Sequence, residues 1–210
     1  MQGIKFNQDG ITAILEGRKT MTRRPIKVRT DIDKQAWIDT LIPDYCKYKI
    51  GETVFVRETF VIATAQFNND GVFNYYDEPV IHYKADKKDL TWFDEWEDEI
   101  NVPWRPSTHM NKEISRIFLK ITNIKVERLQ DISEEDCIKE GVKEIAFNWN
   151  GVSIGSRFTP NTGFEFSGNV TWERAKECFK EEIWNKLPYQ APYYWNSNPY
   201  VFVYEFEIVQ

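Results

Sequence analysis

Cysteine and histidine are scarce in this chain: three and two among 210 residues. Cys46, Cys137 and Cys178 are odd in number and far apart, which argues against a disulfide framework, and no CxxC pair is present to hold zinc. They are expected to be buried, reduced thiols. His82 and His109 alone offer little for a His-rich metal centre or a histidine triad, so no metal and no cofactor is expected. The glycine-rich GxGxxG and GxxxxGK phosphate loops and the HExxH zinc motif are all missing. No apolar run approaches the roughly 20 residues that span a bilayer. The opening MQGIKFNQDG lacks the basic-then-apolar pattern of a secretory signal. The expectation is a soluble, cytoplasmic protein without a membrane partner, and one without internal repeats.

Positive charge is in deficit overall, with a net charge of -6, yet it is concentrated at one end. Residues 1–30 hold seven Lys or Arg against Asp9 and Glu16. Five of the seven fall in ILEGRKTMTRRPIK, at Arg18, Lys19, Arg23, Arg24 and Lys27. Such segregation creates a local positive field on an acidic protein and points to an anionic ligand. The acidic remainder makes duplex DNA an unlikely target, because duplex affinity rests on many phosphate contacts. Aromatic residues reach 15%. Most should be core, and a few are available to stack on bases.

The local pattern predicts a short strand at residues 4–6, then a helix with Ile11, Ile14 and Leu15 on one face and Gly17 as its left-handed cap. The basic stretch therefore begins as the chain leaves a helix. GETVFVRETFVIA reads as one strand over residues 51–63, with Arg57 and Glu58 interrupting its apolar faces as pocket candidates. A hairpin is expected around Asn69-Asp70-Gly71, and a long strand over residues 114–129. In ISEEDCIKEG, Ser133 and Asp136 form a capping box, Ile132 and Cys137 a hydrophobic staple, and Gly141 a stop. Glu140 then falls in the last turn, where the helix dipole disfavours a carboxylate, a hint that it is retained for another purpose. Trp172, Ala175, Phe179, Ile183 and Leu187 follow at helical spacing, ended by Pro188, and the chain closes on a strand. Strands outnumber helices without βαβ alternation, so the expected class is α+β with a mostly antiparallel sheet or barrel. The expectation is one domain over residues 1–210, with insertions near 28–48, 86–101 and 143–170.

The blocks EGRKTMTRR, VRET, WRPSTHMNKEISRI, VERLQDISEEDCIKEGV and WNSNPYVFVYEFEIV, in this order, resemble the ASCH domain of the PUA-like superfamily, and more closely its phage- and prophage-encoded members. The resemblance implies a small, mostly antiparallel β-barrel with flanking helices around a cleft that handles RNA or modified nucleosides. Some compact ASCH proteins hydrolyse the amide of N4-acetylcytidine with a Lys, a Thr three residues on, and a distant Glu. Those roles map here onto Lys19, Thr22 and Glu140, with Glu134, Glu135 and Asp136 as rivals for the carboxylate. Other ASCH proteins are reported as ribonucleases.

The chemistry of the trio is coherent. Lys19 would act as base, its pKa depressed by Arg18, Arg23 and Arg24; Thr22 would be the nucleophile or position water, and Glu140 would protonate the leaving amine. In a regular strand residues 19 and 22 point to opposite faces, so their convergence requires a turn between them. The expected ligand-binding residues are Arg18, Arg23, Arg24, Arg57, Glu58, Trp104, Arg105, His109, Arg116, Trp195, Asn198 and Tyr200, as phosphate forks or stacking platforms. Three classes stay open: binding of RNA, a single nucleotide or a modified nucleoside; hydrolysis of an N4-acylated cytidine-type base; and a phage assembly role.

Overall fold

In the computed structural model the described residues are 1–26, 46–67, 73–86, 92–93, 99–100, 103–149, 152–159, 174–188 and 192–209. The strands in chain order are β1 (Gly3–Lys5), β2 (Met21–Pro25), β3 (Thr53–Arg57), β4 (Phe60–Phe67), β5 (Phe73–Tyr83), β6 (Trp92–Phe93), β7 (Glu99–Ile100), β8 (Phe118–Arg128), β9 (Lys143–Trp149), β10 (Val152–Thr159) and β11 (Tyr200–Val209). The helices are α1 (Gln8–Leu15), α2 (Glu134–Lys139) and α3 (Ala175–Cys178), the last continuing as a π-helical turn over Phe179–Trp184.

Five strands form the central sheet in the order β1-β3-β8-β11-β2. β1 pairs with β3 in parallel, and the other ladders are antiparallel. β4–β5, β6–β7 and β9–β10 are separate antiparallel pairs. The class is α+β with mixed sheets. The central sheet does not close into a barrel among the described residues, but its two edges approach: Arg24 Nη2 on β2 donates to Lys5 O on β1 at 2.5 Å. No helix of the described residues is long and apolar enough to cross a membrane.

Strand alternation explains the two cores. On β11, Phe202, Tyr204 and Phe206 enter one cluster with Ile11 and Ile14 of α1. Val201 and Val203 enter the other, with Cys137 of α2 and Ala175, Cys178 and Phe179 of the last helix. A strand buried on both faces reads as a continuous apolar run, as VFVY does. Burial pushes the Cys137 and Cys178 thiols up to about 12, so they are inert core residues.

Several boundaries differ from the sequence expectation. Residues 51–63 are two strands, broken at Glu58-Thr59 where Glu58 turns into the interior. Leu15 is 46% exposed, because α1 rests on the sheet through Ile11, Ala13 and Ile14. The Asn69-Asp70-Gly71 turn and Trp172 lie outside the described residues, although Phe67 pairs with Phe73 as a hairpin there requires.

Candidate active site

The basic stretch is anchored between two helix ends. Gly17 takes φ 73°, and the Arg18 and Lys19 amides both donate to Ala13 O at 2.9 Å. The Thr20 amide donates to Lys139 O of α2 at 2.9 Å, and β2 begins only at Met21. Lys19 therefore sits in the connection, which removes the strand-alternation objection to its meeting Thr22. β2 is an edge of the sheet. Thr22 and Arg23, on opposite faces of that edge strand, consequently both reach one cleft.

The cleft has a volume of about 340 Å³ and is lined by Lys19, Thr22, Arg23, Arg24 and Glu140, with Phe6, Asn7 and Asp9 on one side and Phe179, Glu182 and Trp184 on another. Lys19 Nζ donates to Glu140 Oε2 at 2.7 Å and to Glu140 O at 2.6 Å. Both side chains are buried, at 5% and 3% exposure. Arg23 Nη1 donates to Glu140 Oε1 at 3.2 Å, which leaves Oε2 to the lysine. Thr22 is buried to 4% exposure and its hydroxyl makes no hydrogen bond to another described residue. Burial is the main reason that the Lys19 pKa falls below its ordinary 10.5; Glu140 opposes the fall, and Arg24 and Arg23 add to it. Arg18, expected to share in this effect, instead donates to Glu16 at 2.7 Å and to Gly141 O at 2.5 Å.

Glu140 is thus separated from its three rivals, none of which lines the cleft, and Glu135 is exposed. Asp136 receives Arg23 Nη2 at 2.7 Å, and Glu134 receives Arg174 and the Lys176 amide. Burial acts to raise the Asp136 pKa, but the hydrogen bond and charge of Arg23, helped by Lys125, hold it below the ordinary carboxylate range.

The basic wall is largely neutralised internally. Arg23 meets Glu127, Asp136 and Glu140, while Lys19 meets Glu140 and Arg18 meets Glu16. Arg24 is the exception: it lies over the Phe6 ring at 5.2 Å and bonds a carbonyl.

The remaining expected ligand-binding residues do not line this cleft. Glu58 is fully buried and held by Arg116 through two bonds of 3.0 and 2.9 Å, with Asp86 on the same guanidinium at 2.7 Å and the Tyr83 ring stacked on it. That group fixes the β3–β4 break. Arg105 bridges to Phe60 through its backbone, Trp104 lies near Lys84, and His109 ends a short 3-10 turn on the surface. Asn198, with φ 42°, accepts from the Gln130 amide, Tyr200 stacks under Arg128, and Trp195 packs edge-on against Phe179. These three form the turn that starts β11. Arg57 lies at a second cavity.

Phe6, Asn7, Asp9, Glu182 and Trp184 line the cleft without having been expected there. Their sequence signals are those of ordinary strand, cap and core residues. The π-helical turn that carries Glu182 and Trp184 has no counterpart in the regular 3.6-residue spacing. In comparisons with known proteins, no family model, no curated protein and no solved structure matches the chain.

Proposed function

We propose that this cleft binds a modified nucleoside and hydrolyses an amide on its base, of the N4-acylated cytidine type, in a chain built on the PUA-like ASCH plan. One observation carries the reading: Lys19 and Glu140, 121 positions apart, are hydrogen-bonded and buried in a cleft that Thr22 also lines. A volume of about 340 Å³ is at the small end of ligand pockets and suits a single nucleoside. Neutralisation of most of the nearby cations favours an uncharged ligand body over a long polyanion.

In the reaction, uncharged Lys19 accepts the proton of the Thr22 hydroxyl, or of a water that the hydroxyl positions, as the oxygen attacks the acyl carbon. The amide carbonyl becomes a tetrahedral alkoxide. The Lys19–Glu140 hydrogen bond relays the proton to Glu140, which delivers it to the departing N4 nitrogen as the C–N bond breaks. Where water was the attacking group, C–N cleavage frees the acid at once; where Thr22 attacked, one water then hydrolyses the Thr22 ester to release the acyl group as a carboxylate. Arg23 keeps the Glu140 carboxyl oriented throughout.

The test is chromatographic turnover of N4-acetylcytidine and related acylated nucleosides. Lys19→Ala and Glu140→Gln are each expected to lower kcat by about 100-fold or more, in line with the usual range for general acid–base groups. Absence of turnover by folded wild-type protein across the panel would overturn the hydrolase reading. A second reading, binding of a modified nucleoside or short RNA without turnover, has support from the two bonds that hold Lys19 on Glu140. It predicts nucleoside binding by wild type with no product formed.

A further inference from the structure

A second cavity, of about 740 Å³, opens where the edges of β1 and β2 face each other. Its charged lining is of one sign: Lys5, Arg24, Lys47 and Arg57, with no carboxylate among the lining residues. None of these four cations forms an ion pair with a described carboxylate, whereas Arg18, Lys19 and Arg23 all do. Arg57 Nε is buried without a hydrogen-bond partner. The Arg57 Nη1 donates to Thr108 O at the long distance of 3.5 Å. Gly3 is what lets Arg57 lie there: a Cβ on Gly3 would stand 2.3 Å from Arg57 Nε. Tyr48 and Tyr204 supply an aromatic wall. Lys5 and Arg24 line this cavity and the candidate active site alike, so the two spaces adjoin.

Three cations gathered around Arg57, whose Nε is buried without a partner, concentrate positive potential at a cavity that holds no carboxylate, and an anion there would offset it. Arginine's fork suits a tetrahedral oxyanion. We propose that this cavity is a phosphate subsite, so that the ligand is a nucleotide, free or within a single strand, whose base occupies the neighbouring cleft. The identity of the base rests on the proposed function; the phosphate subsite does not.

The experiment has two arms. In the first, isothermal titration of wild-type protein with inorganic phosphate and with cytidine monophosphate is compared with Lys47→Gln and Arg57→Gln. Neither residue lines the candidate active site, and Lys47 is exposed, so that variant should fold as wild type does. Each is expected to weaken cytidine monophosphate binding by about 10-fold, the usual effect of one charge-assisted hydrogen bond, while leaving cytidine binding unchanged. In the second arm, kcat/KM for N4-acetylcytidine is compared with that of its monophosphate. Equal affinity of wild type and Lys47→Gln for cytidine monophosphate, with no wild-type preference for it over cytidine, would overturn the subsite. If acylated nucleosides are turned over in that case, the proposed function stands without it. If nothing is turned over but phosphate binding depends on Lys47 and Arg57, the subsite stands and the hydrolase reading falls.

Discussion

Arg23 is a buried guanidinium in contact with Glu127, Asp136 and Glu140, at distances of 2.5, 2.7 and 3.2 Å. Its removal would leave three carboxylates gathered around an empty space, and breaking a buried charge pair from one side costs about 3–5 kcal/mol. Arg23→Met is expected to lose that much in urea unfolding, and a loss below about 1 kcal/mol would show that the cluster relaxes or hydrates. Lys19 provides a pH test with a definite sign. Its folded-state pKa lies below 10.5, so at lower pH both states hold the proton and the folded protein bears the cost of a buried charge. As pH rises from the folded value toward 10.5 the folded state releases its proton first, the unfolded chain binds more protons, and this contribution to stability rises. Glu140 acts to raise the Lys19 pKa, so Glu140→Gln should lower it further. A lysine-selective NMR titration reads both: Lys19 should titrate below 10.5 in wild type and lower still in the variant. A value at or above 10.5 in wild type would remove it as a general base.

Helix α2 shows how an element aims a residue. Ser133 caps it by accepting from the Asp136 amide at 3.1 Å, Ile132 and Cys137 are buried as a staple, and Gly141 ends it at φ 108°. All of that is legible in ISEEDCIKEG, and so is the oddity of a carboxylate at the C-terminal end, which the structure explains through Lys19 and Arg23. Ser133→Ala is expected to cost about 1 kcal/mol. Gly141→Ala should cost about 1–2 kcal/mol through its left-handed backbone alone, and its Cβ would also stand 3.1 Å from Ala13 Cβ and 3.6 Å from Lys19 Cβ. Because that strain falls beside Glu140, Gly141→Ala should reduce turnover beyond its effect on stability, whereas Ser133→Ala should not. Thermal melts run beside steady-state rates separate the two. Other elements were not legible, for reasons that are physical. The break between β3 and β4 depends on Arg116, 58 positions from Glu58, a pairing that strand alternation cannot anticipate. The π-helical turn shifts Glu182 and Trp184 out of the regular helical phase. Arg57 and Arg116 both looked like pocket arginines, yet one is locked to carboxylates and the other is not.

At the scale of the whole molecule, charge is the property that the linear sequence misrepresents. The segment EGRKTMTRR reads as a basic patch, but folding brings Glu127, Asp136 and Glu140 onto it from more than 100 positions away and neutralises most of it. Among the described residues that line the cleft and the cavity beside it, the cations without an ion pair are the smaller group of Lys5, Arg24, Lys47 and Arg57 at the meeting of the sheet edges. If ligand binding uses this cavity alone, its four cations allow at most about four phosphate contacts. The dependence of log K on log salt for a short single-stranded RNA should therefore be no steeper than about -3, at roughly 0.7 per contact. Cytidine should show almost no salt dependence, and a duplex DNA of the same length should bind too weakly to measure at physiological salt. Fluorescence anisotropy across a salt series checks all three. A steeper slope, or duplex affinity rivalling the single strand, would mean that a larger cationic surface is at work than these residues provide, and the ligand would then have to be sought as a polyanion.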